Sequence, residues 1–170
     1  LEEDIILHLR DDAPWPTRGG YLELLASQAP RWRGSSWTAF RFAPQARGFV
    51  PLPLGMVFAT RFAVGAMIIA SSDPRLDPLS AELGPVNYRL RGGGATSNRG
   101  FLPGRLGAGL QGGLRRWEAS AELRIRLGES FATALFADLG DVIREPVLRF
   151  SEPNPAVGFG FRYLTPVGAI

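Results

Sequence analysis

The chain has 170 residues, of which 45% are hydrophobic, and a formal net charge of +3 at pH 7. This length fits one domain, and the absence of cysteine excludes a disulfide framework and thiolate metal sites. The positive charge is carried by arginines spread along the chain, without any lysine, so we predict no nucleic-acid-binding face.

Membrane-spanning helices are not predicted. The longest apolar run, 62–70, is far shorter than the roughly 20 residues that a helix needs to cross a bilayer. The first four residues, Leu-Glu-Glu-Asp, have the wrong charge for a signal peptide, so we interpret the sequence as a mature fragment or an excised piece.

Proline and glycine interrupt the sequence throughout, and no helix longer than a turn or two is predicted. Between these breaks apolar side chains recur with a period of two, which is the period of a β-strand. Several of these runs are close to the length of roughly 9–11 residues with which a tilted β-strand spans a bilayer. About seven strands are predicted in chain order: 3–10, 21–28, 37–43, 56–69, 116–126, 131–139 and 156–164.

The alternation is clearest in the run 116–126, where charged and polar residues occupy one face and apolar residues the other. In a soluble β-sandwich the polar face would point to water. In a membrane β-barrel the polar face would line the lumen and the apolar face would contact lipid. The polar face carries Arg116, Glu118, Ser120, Glu122, Arg124 and Arg126, and the apolar face carries Trp117, Ala119, Ala121, Leu123 and Ile125.

The predicted connections differ strongly in length. The links at 11–20 and 51–55 are short and rich in turn residues, whereas the segment 71–114 is very long and lacks strong periodicity. Loops of that length are uncommon in compact domains and are often functional. Alternation of short turns with long loops is also typical of outer-membrane barrels.

The long loop contains the run Gly92-Gly-Gly-Ala-Thr-Ser-Asn-Arg-Gly-Phe101. Glycines allow tight turns and close approach to another wall, and an arginine offers five donors in a fixed fork. We therefore expect this tip to fold back and bring Arg99 against carboxylates inside a barrel.

Four motifs in the same order resemble the BamA/TamA outer-membrane assembly-factor superfamily. Asn98-Arg-Gly-Phe101 resembles the family's V/N-R-G-F/Y loop motif, and Phe136-Ala-Asp-Leu-Gly-Asp-Val142 resembles its F-x-D-x-G-x-V strand. The segment 11–20 resembles the D-x-R-D…P-T-x-G-x element, and 155–168 resembles the S-x-G-x-G-x-R-Y-x-S-P-x-G segment. Together these motifs cover most of the chain.

The resemblance implies a latch inside the barrel. In the family, the loop arginine docks against acidic residues on the two strands that follow the loop. The matching positions here are Glu122 and Asp138. The implied role is structural and conformational, with a loop latch motif formed by Asn98, Arg99, Gly100 and Phe101.

The implied fold is an all-β, antiparallel transmembrane β-barrel in a Gram-negative bacterial outer membrane. Residues 1–170 would be a partial barrel domain whose long loop, 71–114, folds into the lumen. Because an open sheet edge is unfavourable in lipid, we expect the rest of the barrel or other chains to close it. The family's periplasmic POTRA domains and final strands would lie outside this sequence.

The implied function is insertion or assembly of outer-membrane proteins, or translocation of polypeptides, without covalent chemistry or a cofactor. The expected partners are the lipid bilayer and either unfolded outer-membrane protein clients or secreted polypeptides. Three alternatives remain open: a two-partner secretion transporter, the membrane anchor of a fused patatin-like lipase, and a passive pore.

Other candidate sites are weaker. Glu122 and Asp138 lack an accompanying nucleophile for acid–base catalysis, and the glycines at 92–94 lack the strand-loop-helix and lysine of a phosphate cradle. His8, the sole histidine, is expected in the lumen and not at a metal. The tryptophans would form an interfacial girdle or pack as ordinary side chains: Trp15, Trp32, Trp37 and Trp117.

Overall fold

The computed structural model describes residues 2–11, 15–30, 34–165 and 168–169, and these form one antiparallel sheet. Each strand pairs with its neighbours along the chain, so the strand order is the sequence order. The strands are β1 Glu2–Arg10, β2 Gly19–Ala29, β3 Trp37–Pro51, β4 Val57–Ser72, β5 Arg115–Leu127, β6 Phe131–Ile143, β7 Ala156–Thr165 and the two-residue β8 Gly168–Ala169. The prediction of about seven antiparallel strands is confirmed.

The predicted end of the third strand was wrong. The sequence places it at residue 43, before Pro44, whereas β3 continues to Pro51. Proline has no N–H to donate to a neighbouring strand. The β3–β4 register accordingly passes from Phe42↔Ala66 to Gln45↔Ala63 without pairs at 43 and 44, while Pro44 stays opposite Leu24 of β2. Two residues without a partner on β4 are therefore tolerated, because both remain paired with β2 on the other side.

The burial pattern is inverted relative to a soluble sandwich. On β6 the apolar Leu135 and Leu139 are 52% and 41% exposed, whereas Asp138 is 1% exposed. On β4 Phe58 and Phe62 are likewise exposed. The face that carries the buried charges is called the inner face below, and the apolar face the outer face. An apolar outer face and a polar inner face are what a barrel wall in lipid requires.

Connections at the two ends of the sheet differ in length. The links 11–18, 52–56 and 128–130 lie at one end. The segment 30–36 and the two longest connections, 73–114 and 144–155, lie at the other. Outer-membrane barrels have short turns on the periplasmic side and longer loops outside. The predicted asymmetry is thus present in the fold.

The loop 73–114 has its own local structure and covers the inner face. Its α-helix, α1, spans Pro78–Leu83 and is capped by Asp77, whose side chain accepts from the Ser80 backbone N–H at 2.9 Å. Hydrogen bonds from the Ser80 side chain and from the Ser80 N–H hold the pKa of Asp77 below its ordinary value. None of the described helices is long and apolar enough to cross a membrane.

A small apolar core joins this loop to the sheet. Leu83 of α1 packs with three residues of the sheet and loop end: Ala39, Met67 and Leu114. The indole N–H of Trp37 donates to the Ser80 carbonyl at 3.1 Å. The loop is therefore anchored on the inner face at its beginning as well as at its tip.

The turn between β1 and β2 explains the motif at residues 11–20. The Asp11 carboxylate accepts hydrogen bonds from the backbone N–H groups of Thr17 and Arg18, at 2.9 and 3.0 Å. Gly19 follows with φ of +100°, and a Cβ there would collide with the Leu9 carbonyl. The Thr17 hydroxyl also donates to the Asp11 carboxylate, so the aspartate, the threonine and the glycine each contribute to the geometry of one turn.

Candidate functional site

The glycine run turns the loop back toward the sheet. Gly93 and Gly94 have φ of +99° and +98°, which side chains other than glycine rarely adopt. The Gly94 N–H donates to the Phe101 carbonyl at 2.8 Å and closes the tip. A Cβ on Gly92 would lie 2.9 Å from Oε1 of Glu118. The run therefore serves a tight turn and a close approach to β5.

Arg99 lies at the tip against β5 and β6. Its Nε and Nη2 donate to Oδ2 and Oδ1 of Asp138 at 2.8 and 2.7 Å, and its backbone N–H donates to Oδ2 at 3.0 Å. Nη2 also donates to the Ser120 hydroxyl at 3.0 Å, and Nη1 is ion-paired with Glu122. The guanidinium carbon lies 3.6 Å from the centroid of the Phe136 ring, a cation–π contact.

Glu122 is shared by three arginines. Besides Arg99, it accepts from Nε of Arg124 at 2.7 Å and from Nη2 of Arg162 at 2.8 Å. The sequence indicated Glu122 and Asp138 as neighbours of Arg99, and the structure brings all three together. The sequence did not indicate Arg162 as a partner of Glu122. Arg162 lies on β7, and its distance from Glu122 depends on how β7 is aligned with β6.

The other members of the loop motif hold the tip in place. Asn98 is fully buried. Its Nδ2 donates to the Asn154 carbonyl at 2.7 Å, and its Oδ1 accepts from the Gly100 N–H at 3.2 Å. Gly100 packs so closely on β7 that a Cβ would lie 2.5 Å from Cβ of Ala156. The backbone N–H of Phe101 donates to the Asn98 carbonyl at 3.2 Å.

A second contact that holds the loop, which the sequence prediction missed, lies on β5 four residues before Glu122. Glu118 is 1% exposed and is ion-paired with Nη1 of Arg61 at 2.7 Å. It also accepts a hydrogen bond from the Ser97 hydroxyl, which in turn accepts from the Gly93 N–H at 2.7 Å. The alternation of β5 could have indicated Glu118 as a second partner of the loop, because Glu118 lies on the same face of the strand as Glu122.

The remaining candidates occupy structural positions. His8 stacks edge-on with Tyr21 of β2, with ring centroids 5.0 Å apart. In the described part of the chain, no group of three or more His, Cys, Asp or Glu side chains is arranged to hold a metal.

The described tryptophans make separate contacts. The Trp15 ring lies 5.2 Å from the guanidinium carbon of Arg124, on the inner side. The Trp117 indole N–H donates to the Arg149 carbonyl at 2.8 Å, and its ring packs 5.0 Å from Phe150. Trp37 contacts α1, as described above. Trp32 lies outside the described residues.

An apolar outer face, a charged inner face and a long loop bound to that inner face by buried ion pairs define the wall of an outer-membrane β-barrel. The chain belongs to the Omp85 superfamily: the family model described as "Omp85 superfamily domain" matches residues 3–170. Omp85 barrels are outer-membrane proteins. The resemblance noted from the four motifs is thereby confirmed at the level of the superfamily.

A solved structure has the same fold. The chain is similar to BamA from Haemophilus ducreyi lacking POTRA domains 1–3, with a TM-score of 0.76 and 18% sequence identity. The match covers 99% of this chain and 36% of that one, so this chain spans about a third of the length of the BamA chain. No curated protein matches the sequence.

Proposed function

We propose that this chain is part of an outer-membrane barrel that assists the insertion and assembly of outer-membrane proteins, and that Arg99 latches the loop inside its lumen. The observation that carries the proposal is the docking of Arg99 on Asp138 and Glu122. Residues 1–170 would form one wall of the barrel, with the rest of the barrel completing it. The partners would be the lipid bilayer and unfolded client proteins, and no covalent step is involved.

The occupied inner face supports this proposal over a passive pore. The loop covers the inner face at three places: at α1, at Ser97 with Glu118, and at Arg99. A permanently open pore gains nothing from such a cover. A protein that must hold its barrel in one closed state does, because breaking a buried ion pair is strongly destabilising and the pairs therefore fix one arrangement of the loop.

A two-partner secretion transporter is the second candidate, because the loop motif is shared with that class. It differs from an assembly factor in what it handles: one secreted polypeptide that passes through the lumen. Membrane anchoring of a fused patatin-like lipase is the third, and it would require catalytic serine and aspartate residues elsewhere in the protein.

Reconstitution of the full-length protein in lipid vesicles tests the proposal. An unfolded small outer-membrane barrel is added, and its folding is followed by heat-modifiable electrophoretic mobility. We expect vesicles that contain the protein to accelerate folding over empty vesicles, and Arg99→Ala to abolish most of that acceleration. Arg149→Ala is the matched control, because Arg149 pairs only with the exposed Glu145 among the described ion pairs.

The outcomes separate the candidates. Equal folding rates with and without the protein would reject the assembly role, and release of a cognate polypeptide across the vesicle wall would then indicate a secretion transporter. Full acceleration by the Arg99→Ala protein, once its barrel is shown to be folded, would reject the latch.

A further inference from the structure

The inner face carries arginines that the latch does not use. In the described part of the chain, the buried side-chain nitrogens without a hydrogen-bond partner are all arginine Nε atoms, those of Arg10, Arg41, Arg47 and Arg116. The strand register places all four residues on the inner face. A buried donor without an acceptor is unfavourable and requires an explanation.

A cavity of about 200 Å³ lies beside one of these arginines. One side is formed by the loop tip at 95–97, and the other by the inner face of the sheet. A single carboxylate, Glu122, contributes to its lining. Five guanidinium groups surround it, those of Arg47, Arg61, Arg99, Arg124 and Arg162.

The charges around this cavity do not balance. Four of the five arginines form ion pairs, and they do so with only three carboxylates, those of Glu118, Glu122 and Asp138. A fourth carboxylate, Glu23, is hydrogen-bonded to the neighbouring Gln45 and interacts electrostatically with Arg47. One positive charge is therefore in excess among these groups. Arg47 forms no ion pair with any described residue.

Arg47 is also placed unfavourably beside a like charge. It lies directly opposite Arg61 in the β3–β4 ladder, and like charges in such a pair repel. Both guanidinium groups share the side-chain carbonyl of Gln45, Arg61 at 3.1 Å and Arg47 at 3.5 Å. Arg47 otherwise stacks 5.4 Å from the Tyr21 ring centroid. An anion between Arg47 and Arg61 would relieve this repulsion.

We propose that the cavity under the loop tip binds a phosphate-type oxyanion, either free phosphate or the phosphate of a lipid head group. Arginine forks match the oxygens of phosphate in geometry and charge. A phosphate group carries about one to two negative charges near neutral pH, which would offset the excess positive charge around the lining. The site shares Arg99 and Glu122 with the latch but does not depend on the proposed assembly function.

Calorimetric titration of the full-length protein in detergent with inorganic phosphate, at constant ionic strength, tests this site. We expect saturable binding that Arg47→Gln weakens at least tenfold. Arg149→Gln is the matched control, since it removes an exposed guanidinium far along the chain, and it should leave binding unchanged. Equal affinity in the Arg47→Gln protein and the parent protein, or no saturable binding to either, would overturn the proposal.

Two further measurements complete the test. The first needs no variant and so applies even if Arg47→Gln does not fold, and the second identifies the origin of the ligand. In the parent protein, phosphate should raise the melting temperature more than chloride at equal ionic strength, and equal shifts would contradict the site. In micelles with phosphatidic acid, a lipid-derived ligand predicts competition with phosphate, whereas unchanged phosphate affinity indicates the free anion. Either result of this last comparison supports the same oxyanion chemistry.

Discussion

Arg99 and Asp138 are 39 positions apart in the chain and are joined by three hydrogen bonds, two from the guanidinium group and one from the backbone N–H. The backbone bond fixes the path of the loop, and the two side-chain bonds fix the orientation of the guanidinium plane. The pair therefore positions both the main chain and the side chain of the loop tip on β6.

Removing the guanidinium group should destabilise the barrel. Asp138 is 1% exposed, and loss of its partner leaves a buried carboxylate with only Ser120 and one N–H. We expect Arg99→Ala to lower the free energy of unfolding by about 3 kcal/mol. Urea titration of the folded protein in detergent measures this value.

Arg99→Lys separates charge from geometry. Lysine keeps the positive charge, but its single ammonium group cannot reproduce the fork that spans Asp138 and Glu122. We expect it to recover only part of the stability lost in Arg99→Ala. Arg149→Ala should change stability by less than about 0.5 kcal/mol, and a comparable loss in this control would contradict the prediction.

Gly100 should be replaceable only if β7 makes room. In Gly100→Ala the new Cβ would lie 2.5 Å from Cβ of Ala156 and displace the tip. We expect faster proteolysis of the loop 73–114 in this variant. The double variant Gly100→Ala with Ala156→Gly should restore protection, because the remaining neighbours of the new Cβ lie at 3.5 Å or more. Without such rescue, the contact would not be the cause.

Neighbouring positions on β6 should face different environments. Leu135 is 52% exposed on the outer face, and Ala134 is 1% exposed on the inner face. In the cysteine-free chain, a nitroxide spin label attached to Leu135→Cys before folding should be accessible in vesicles to oxygen dissolved in the lipid, and a label attached to Ala134→Cys should be shielded from it. The opposite accessibility pattern would mean that the strand register is shifted by one residue.

Ser97→Ala tests the second contact that holds the loop. The hydroxyl links the Gly93 N–H to Glu118, and its loss leaves a nearly fully buried carboxylate oxygen without this donor. We expect a loss of about 1–3 kcal/mol in unfolding free energy. The adjacent, exposed Thr96 offers the control Thr96→Ala, for which little change is expected. Identical curves for both variants would argue against this contact.

The sequence by itself determined the strands, their two faces and the residues at the loop tip. A period of two is a local property of the backbone, so the alternation on β5 placed Glu122 on the polar face without knowledge of any neighbouring strand. The loop motif likewise indicated Arg99, and the strand motif indicated Asp138, because each is a short contiguous pattern.

Only the tertiary structure decided which groups share the site and where strands end. Arg162 reaches Glu122, and Arg61 reaches Glu118, across strand registers that no single segment encodes. The continuation of β3 past Pro44 depends on the pairing that β2 supplies at that position. These features depend on pairing between distant strands, and pairing energy belongs to the sheet as a whole, not to any one stretch of sequence.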